Sequence, residues 1–428
     1  MKQKTRASLQ SCPKILAPAG DFIALQAALA AGADEIYFGI KGLNMRAGAK
    51  NFSLQDMKTI AAQCHARGAK ALLALNTIVY EHEERMVAKI LRAAKSAGID
   101  AVIAWDQSVI QECVARKIPV HLSTQNSISN YASLAFAKKN IRTLRRVVLA
   151  RECNLKDIKS IIAKIRKNRL NVEIEVFIHG AMCIAVSGRC FMSHELFNKS
   201  ANRGECLQPC RRKYTVTLHD REEQHAIELG DDYVMSPKDL CTIDFIDQLI
   251  DAGIEVFKIE GRNRSPEYVA TTVEEYRRII EYYLAHRAEI KRNADARRAF
   301  TALKKSARMQ LETVYHRGFS SGFYLGKPVD EYTKEYGSSA AEKKDYVGKI
   351  INYYAKPGVA LVKIESTSIA AGDAVMIQGT TTGVFRQKLG TVLHDAVAVP
   401  KAVKGMEVSF KTEKLARKND LVYKISRR

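Results

Sequence analysis

Between residues 14 and about 150 the chain repeats one unit: a short apolar run, a turn, an amphipathic helix, a glycine, and the next apolar run. Such alternation admits few folds, because a strand that returns parallel to its predecessor needs a crossover helix. The runs Ile15–Ala17, Glu35–Phe38, Ala71–Leu75, Ala101–Ala104, Pro119–Leu122 and Arg146–Leu149 read as the first six strands. Gly32, Gly68 and Gly98 each stand just past a helical run, where a left-handed residue ends a helix. Val172–Ile178 and Val256–Ile259 supply a seventh and an eighth strand. Eight strand–helix units over roughly 250 residues fit a closed TIM-like (β/α)8 barrel, and that is the predicted fold class. An open doubly wound sheet is the competing arrangement; no glycine-rich dinucleotide fingerprint follows the first strand to favour it.

Two departures from the repeat organise the rest. A stretch of about 70 residues, Ala181 to Asp251, separates strands seven and eight and is far longer than an ordinary loop. In a barrel it emerges at the C-terminal face, where chemistry usually resides. After strand eight, Pro266 to Asn293 reads as one long helix, followed by a helical linker to about Tyr315. Glycine, serine and tyrosine then cluster at 317–323 and 336–339 and mark a domain boundary near residue 330. From residue 341 to 428 short alternating strands (347–351, 359–364, 373–377, 408–410 and 421–425) predict a small antiparallel β-barrel. It could cap the first domain or dock RNA. Residues 1–13 read as a disordered lead-in.

Charge and cysteine usage narrow the function. The chain carries 68 Lys+Arg against 46 Asp+Glu, a formal net charge of +22. Basic pairs and runs such as Lys138-Lys139, Arg145-Arg146 and Arg211-Arg212-Lys213 recur along the sequence instead of collecting in a tail. A broad positive face points to a polyanionic partner such as structured RNA. No apolar run reaches membrane-spanning length, so no membrane association is expected. No secretory signal opens the chain, and nine cysteines without one read as a reduced, cytoplasmic enzyme and not as a disulfide scaffold.

Four of those cysteines form a pattern: Cys183-x6-Cys190-x15-Cys206-x3-Cys210, all inside the long insertion. Structural zinc sites usually pair their thiols in two tight C-x2-C turns, and neither pair here has that spacing. Wider, irregular spacing suits a 4Fe-4S cubane, whose irons present separated ligand positions. Zinc and four unligated thiols remain the alternatives at this point. Polar residues at predicted strand ends (Asn76, Gln125, His179, Glu260 and Arg262) should face the barrel mouth as catalytic candidates. Arg262 and Arg46 have the planar fork that suits a carboxylate, with Arg211 and Arg212 as further substrate-binding candidates. Glu260 or His179 could move protons.

The motifs Glu175–Cys183 (EVFIHGAMC), Ser187-Gly188-Arg189-Cys190, Asn202-Arg203-Gly204 and Cys210-Arg211 resemble the collagenase-like peptidase family, catalogued as unknown-type family thirty-two. Leu16–Asp21 (LAPAGD) and Lys258–Arg262 (KIEGR) match as well, and the likeness spans roughly 14–330. Within that family the layout is most similar to the branch of tRNA hydroxylation proteins. The resemblance implies 5-hydroxyuridine formation at the wobble position, an iron–sulfur cluster, prephenate as hydroxyl donor and a possible redox partner. A related branch acts on a ribosomal RNA base, and a third takes a more distant fourth cysteine, which makes Cys241 a rival to Cys210. The peptidase name finds no support in the residues themselves. His194-Glu195-Leu196-Phe197-Asn198 lacks the second histidine of a zinc protease, and Ala185–Arg189 lacks the glycines of a serine-hydrolase elbow. A Cys183–His179 pair is the one nucleophilic arrangement left open.

Overall fold

The computed structural model describes residues 12–219, 226–230, 233–328 and 331–428; the expected lead-in lies outside them except for its last two residues. Eight parallel strands close on themselves: β1 Lys14–Ala19, β2 Glu35–Phe38, β3 Lys70–Ala74, β4 Ala101–Ala104, β5 Val120–Leu122, β6 Leu144–Val148, β7 Glu173–Gly180 and β8 Val256–Ile259. Strand β8 pairs with both β7 and β1, which completes the barrel predicted from the repeat. Helices α1 Phe22–Ala30, α2 Asp56–His65, α3 Glu84–Ser96, α4 Gln107–Ala115, α5 Tyr131–Asn140, α6 Leu155–Lys167 and α7 Ile246–Ala252 surround it. Their starts are chemically marked: Asp21, Asp106, Asn130 and Asn154 each accept a hydrogen bond from a first-turn N–H. Their ends are marked too, since Gly32, Gly68 and Gly98 all adopt positive φ.

Most barrels of this kind fill their interior with branched apolar side chains. Here a small apolar layer (Leu16, Leu72, Ala74, Ile103, Val256) shares the interior with an ionic lattice. Arg146 of β6 is 1% exposed; its guanidinium donates to Glu35 at 2.5 and 2.8 Å, to Glu173 at 2.7 Å and to Glu175 at 3.2 Å. Glu175 also accepts from Lys258 Nζ at 2.8 Å. Glutamates at 35, 173 and 175 would be costly to bury alone. One fork that bonds all three is what makes the arrangement tolerable.

Alternation along β7 sends Glu173, Glu175 and Phe177 inward, which would send His179 inward as well. A register shift opposite Lys258 and Ile259 breaks the alternation between Phe177 and His179. Such a bulge turns the following side chain to the other face. His179 consequently packs outside the barrel, against Tyr268, Tyr276 and Phe319, with ring centroids 5.4–5.8 Å away.

The segment between β7 and β8 forms short turns, a helix at Met192–Phe197, a hairpin (Val216–His219 with Ala226–Gly230) and a strand, Asp239–Cys241, antiparallel to β7. After β8, helix α8 runs over Pro266–Arg292 and α9 over Ala294–Leu311. The C-terminal region is an eight-stranded antiparallel sheet with its own apolar core, including Val347, Ile350, Val362, Ile377 and Val408. Beyond the five expected strands it contains Gly383–Lys388, Leu393–His394 and Val397–Ala398. It docks on the barrel through Glu267 at the start of α8, which accepts from Gln378 and pairs with Lys344, each at 2.8 Å. Among the described residues no helix is long and apolar enough to cross a membrane.

The lattice makes a stability prediction. Arg146→Ala leaves the fully buried Glu35 without its cation, strips Glu175 and the partly exposed Glu173 of one of two partners each, and should cost about 3–5 kcal/mol. Urea unfolding of the wild type and variant measures it; a loss below about 1 kcal/mol would mean the glutamates simply take up protons.

Candidate active site

The C-terminal ends of the strands and the insertion enclose a cavity of about 620 Å³. Its wall is built in layers. Lowest is Tyr37 of β2, whose hydroxyl donates to Ile259 O at 2.9 Å and whose ring faces Lys258 Nζ at 4.6 Å. The lattice therefore ends directly beneath the cavity. Above it, Asn76 and Gln125 tie the ends of β3 and β5 together: Asn76 Nδ2 donates to Gln125 Oε1, and Gln125 Nε2 to Asn76 O, both at 3.1 Å. Ser123 Oγ donates to the same Gln125 oxygen at 2.7 Å. Asn76 Oδ1 accepts from Met45 N at 3.4 Å, and both residues line the cavity.

Opposite them lie the residues that follow β8. Glu260 accepts from Arg46 Nη2 at 2.8 Å and Nε at 3.2 Å. Burial alone would raise the Glu260 carboxyl, but Arg46, Arg264 and Arg151 outweigh it and hold the pKa at about 2. At neutral pH this group is a fixed negative charge that aims Arg46. Arg262 bonds to a neutral acceptor, Asn44 Oδ1, at 3.0 Å, and burial lowers its pKa to about 10. Gly39 makes room for it, because a Cβ there would lie 2.2 Å from Arg262 Nη1. Arg151, just past β6, lies 3.8 Å over the Phe177 ring and donates to Ala181 O at 2.7 Å. Arg46, Arg151 and Arg262 thus share one carboxylate, and the cavity has cationic charge to spare.

The insertion clasps this wall. Arg203 donates to Ile78 O and to both oxygens of Glu83 and lies 4.8 Å from the Tyr80 ring. Gly204, at φ +83°, sits so close that a Cβ would be 2.2 Å from Asn44 O, and its carbonyl accepts from Ala47 N at 3.0 Å. Arg211, on the cavity lining, bridges Ser236, Pro237 O and Met182 O and so also holds loops in place. Arg212 is exposed, near the Phe197 ring.

Cys183, Cys190, Cys206 and Cys210 all line the cavity, and all are free thiols. Backbone N–H groups two residues on point at three of the sulfurs: Ala185 to Cys183 at 3.5 Å, Met192 to Cys190 at 3.4 Å and Gln208 to Cys206 at 3.3 Å. Such bonds favour thiolates and are one lever on cluster potential. Burial raises the pKa of Cys210 against the opposing charge of Arg211, with the neighbouring thiols adding to the rise, and burial dominates for Cys206, where Cys183 and Cys190 also oppose ionisation. A cationic metal centre would relieve that opposition, and four thiols are the donor chemistry it takes. Among the described residues no three His, Cys, Asp or Glu side chains crowd closely enough to hold a single ion. Cys241 is buried outside the cavity lining, 3.8 Å from Tyr276 OH.

Of the sequence candidates, the structure brings Asn76, Gln125, Glu260, Arg262, Arg46, Arg211 and the four cysteines to one cavity. It places His179 behind the wall, where burial lowers its pKa to about 3 and leaves it neutral. Sequence reasoning missed Arg151, Asn44, Arg264 and Arg317. Arg151 carried a usable signal, standing at a strand end like the residues that were chosen. Asn44 carried none, because the excursion after β2 that places it has no periodicity.

A (β/α)8 barrel that gathers four free thiols above an arginine-rich cavity is the class this fold and site define. Residues 20–334 match the model of Peptidase family U32, and the chain belongs to that family. It is 41% identical over 424 residues to a collagenase from Porphyromonas gingivalis, covering 97% of this chain and 98% of that one. It is 35% identical over 348 residues to tRNA hydroxylation protein P1 of Bacillus subtilis, covering 80% and 78%. A 23S rRNA 5-hydroxycytidine synthase from Escherichia coli is 32% identical over 336 residues, covering 75% of this chain and 49% of that one.

The Glu260 environment gives a pH prediction. Its folded pKa, about 2, lies below the ordinary value of about 4.3, so its stabilising effect is complete above that value and fades as pH falls toward 2. The melting-temperature gap between wild type and Glu260→Gln should narrow as pH drops from about 5 to about 2. A gap independent of pH would show that the ion pair does not stabilise the fold.

Proposed function

We propose that this protein hydroxylates a base in RNA, specifically C5 of the wobble uridine in a subset of tRNAs. The observation that carries the reading is one cavity lined by four free thiols and by an excess of guanidinium charge. Its relatives include proteins named for tRNA hydroxylation and for 5-hydroxycytidine synthesis. The net charge of +22 suits a phosphate-rich partner.

In this reading Cys183, Cys190, Cys206 and Cys210 hold a 4Fe-4S cluster, which supplies electron transfer or a substrate-binding iron at the cavity. The protein's own groups do the positioning. Arg262, hydrogen-bonded to the neutral Asn44 amide and not to a carboxylate, and Arg46, aimed by Glu260, bind the carboxylates of a small hydroxyl donor such as prephenate. Asn76 and Gln125, bonded to each other, form a fixed polar wall beside the base. Glu260, held ionised, is a poor proton carrier at neutral pH and serves as the orienting charge. A ribosomal RNA base is the nearest alternative substrate.

Peptide hydrolysis is the second reading, favoured by the collagenase name of the 41% identical relative. The geometry gives it little to work with. Among the described residues no histidine lines the cavity, so no thiol there has an imidazole to activate it.

Anaerobic purification with an ultraviolet–visible spectrum, iron and sulfide assays tests the cluster; mass spectrometry of tRNA hydrolysates from a complemented deletion strain tests the reaction. Wild type should restore 5-hydroxyuridine. Cys190→Ser should abolish it while RNA binding survives, and Arg262→Ala should lower it at least roughly tenfold, the scale of a lost charged contact. Gelatin cleavage by a colourless protein, with no change in tRNA, would return the peptidase reading to the front.

A further inference from the structure

A second pocket, of about 320 Å³, adjoins the cavity and shares with it Cys206, Leu207, Gln208, Arg211 and Arg317. Its outer lining adds Arg212, Tyr315, Glu335 and Tyr336, so three arginines face a single carboxylate.

The charge on the common wall is deliberately held. Arg317 Nη2 donates to Gln208 Oε1 at 3.1 Å, and Nη1 lies 3.6 Å from Asp239. Asp239, 1% exposed, lies 3.5 Å from Arg264 on its other oxygen, and neither carboxylate oxygen makes a hydrogen bond. Both guanidinium groups lie over the Tyr315 ring, at 3.8 Å for Arg264 and 5.2 Å for Arg317. One buried carboxylate shared loosely by two stacked arginines leaves about one positive charge on the wall between the pockets. Separations of 3.5 and 3.6 Å are longer than a good charge-assisted hydrogen bond, so both arginines keep bonding capacity for another anion.

At the outer rim Tyr336 is 74% exposed, in the glycine- and serine-rich stretch that marks the domain boundary. Its ring stacks on Tyr233 at 6.4 Å and 29°, which steadies one face and presents the other. Arg212, an exposed residue whose guanidinium lies 5.8 Å from the Phe197 ring, lines the same pocket. An aromatic platform next to exposed arginine, one wall away from a deep cavity, is the chemistry that holds successive units of a single-stranded nucleic acid.

We infer that this second pocket seats the nucleotide adjoining the modified one. Its base stacks on Tyr336, the connecting phosphodiester lies at Arg317 on the common wall, and Arg212 meets the next phosphate. The inference rests on the RNA reading above and adds to it. The enzyme engages at least two consecutive unpaired nucleotides, so it takes its target from a loop and not from a duplex.

The test is binding of a fluorescein-labelled short oligouridylate to the full chain, followed by anisotropy over a range of salt concentrations. Tyr336→Ala should weaken binding roughly tenfold, within the range for one lost base–aromatic stack. Tyr336→Phe, which keeps the ring, should bind within about twofold of wild type, and Arg212→Ala should lower the salt slope by about one. Wild-type affinity in both Tyr336→Ala and Arg212→Ala would overturn the second pocket and leave the hydroxylase reading standing. A wild-type protein that binds no oligouridylate, or one whose binding an acidic polypeptide displaces without any effect of Tyr336, would also overturn the second pocket, while the hydroxylase reading fails only if 5-hydroxyuridine is absent from the complemented strain.

Discussion

Arg146 is the residue on which the barrel depends. Four side chains from three other strands bring charge into the interior: Glu35 from β2, Glu173 and Glu175 from β7, and Lys258 from β8. The guanidinium bonds all three carboxylates, and Glu175 passes the connection to Lys258. An apolar filling would have been as stable or more so, since ion pairs seldom repay their desolvation. Direction is what the lattice contributes. It fixes the rotation of β2, β6, β7 and β8 about the barrel axis, and these are the strands whose ends carry Arg46, Arg151, the cysteine segment and Glu260 through Arg262.

From that base the site is transmitted upward in short steps. Lys258 lies beneath the ring of Tyr37 and also 5.3 Å from that of Phe177, and Arg151 covers Phe177 from above. Arg151 then fixes Ala181 O, while Arg211 fixes Met182 O. The first cysteine follows immediately. The loop that carries Cys183 is therefore anchored by two guanidinium groups on its own backbone, and the loop after β2 is closed against Gly204, two residues before Cys206. Rigid placement of thiols on a segment with little regular structure is achieved by arginines acting as brackets.

The barrel was legible because its information is local. Helix-terminating glycines at 32, 68 and 98 and capping Asp21, Asp106, Asn130 and Asn154 punctuate the chain, and each acts within one turn. Strand ends were legible for the same reason, which placed Asn76, Gln125, Glu260 and Arg262 at the mouth. His179 failed because its facing is set by a bulge opposite Lys258 and Ile259, and a shift in pairing register leaves no mark in either strand alone. Arg211 looked like a basic run and proved to be a bracket, since the acceptors that consume it, Ser236, Pro237 and Met182, lie 25–29 positions away. In the C-terminal sheet the short strands at 393–394 and 397–398 escaped notice because two residues carry no period.

Charge distribution ties the cavity to its chemistry. The interior lattice is nearly balanced, with Arg146 and Lys258 against three glutamates, helped by Lys14 on Glu173 at 2.5 Å. The cavity above it is unbalanced in the other direction, with Arg46, Arg151 and Arg262 around Glu260. Balanced charge stabilises a fold and asks for no ligand; unbalanced buried charge costs stability until an anion arrives. Under the proposed function two anionic components complete it without competing: thiolates on a metal centre at the rim, and carboxylates of a small substrate at the wall. The excess of arginine by itself makes the cavity a place for anions.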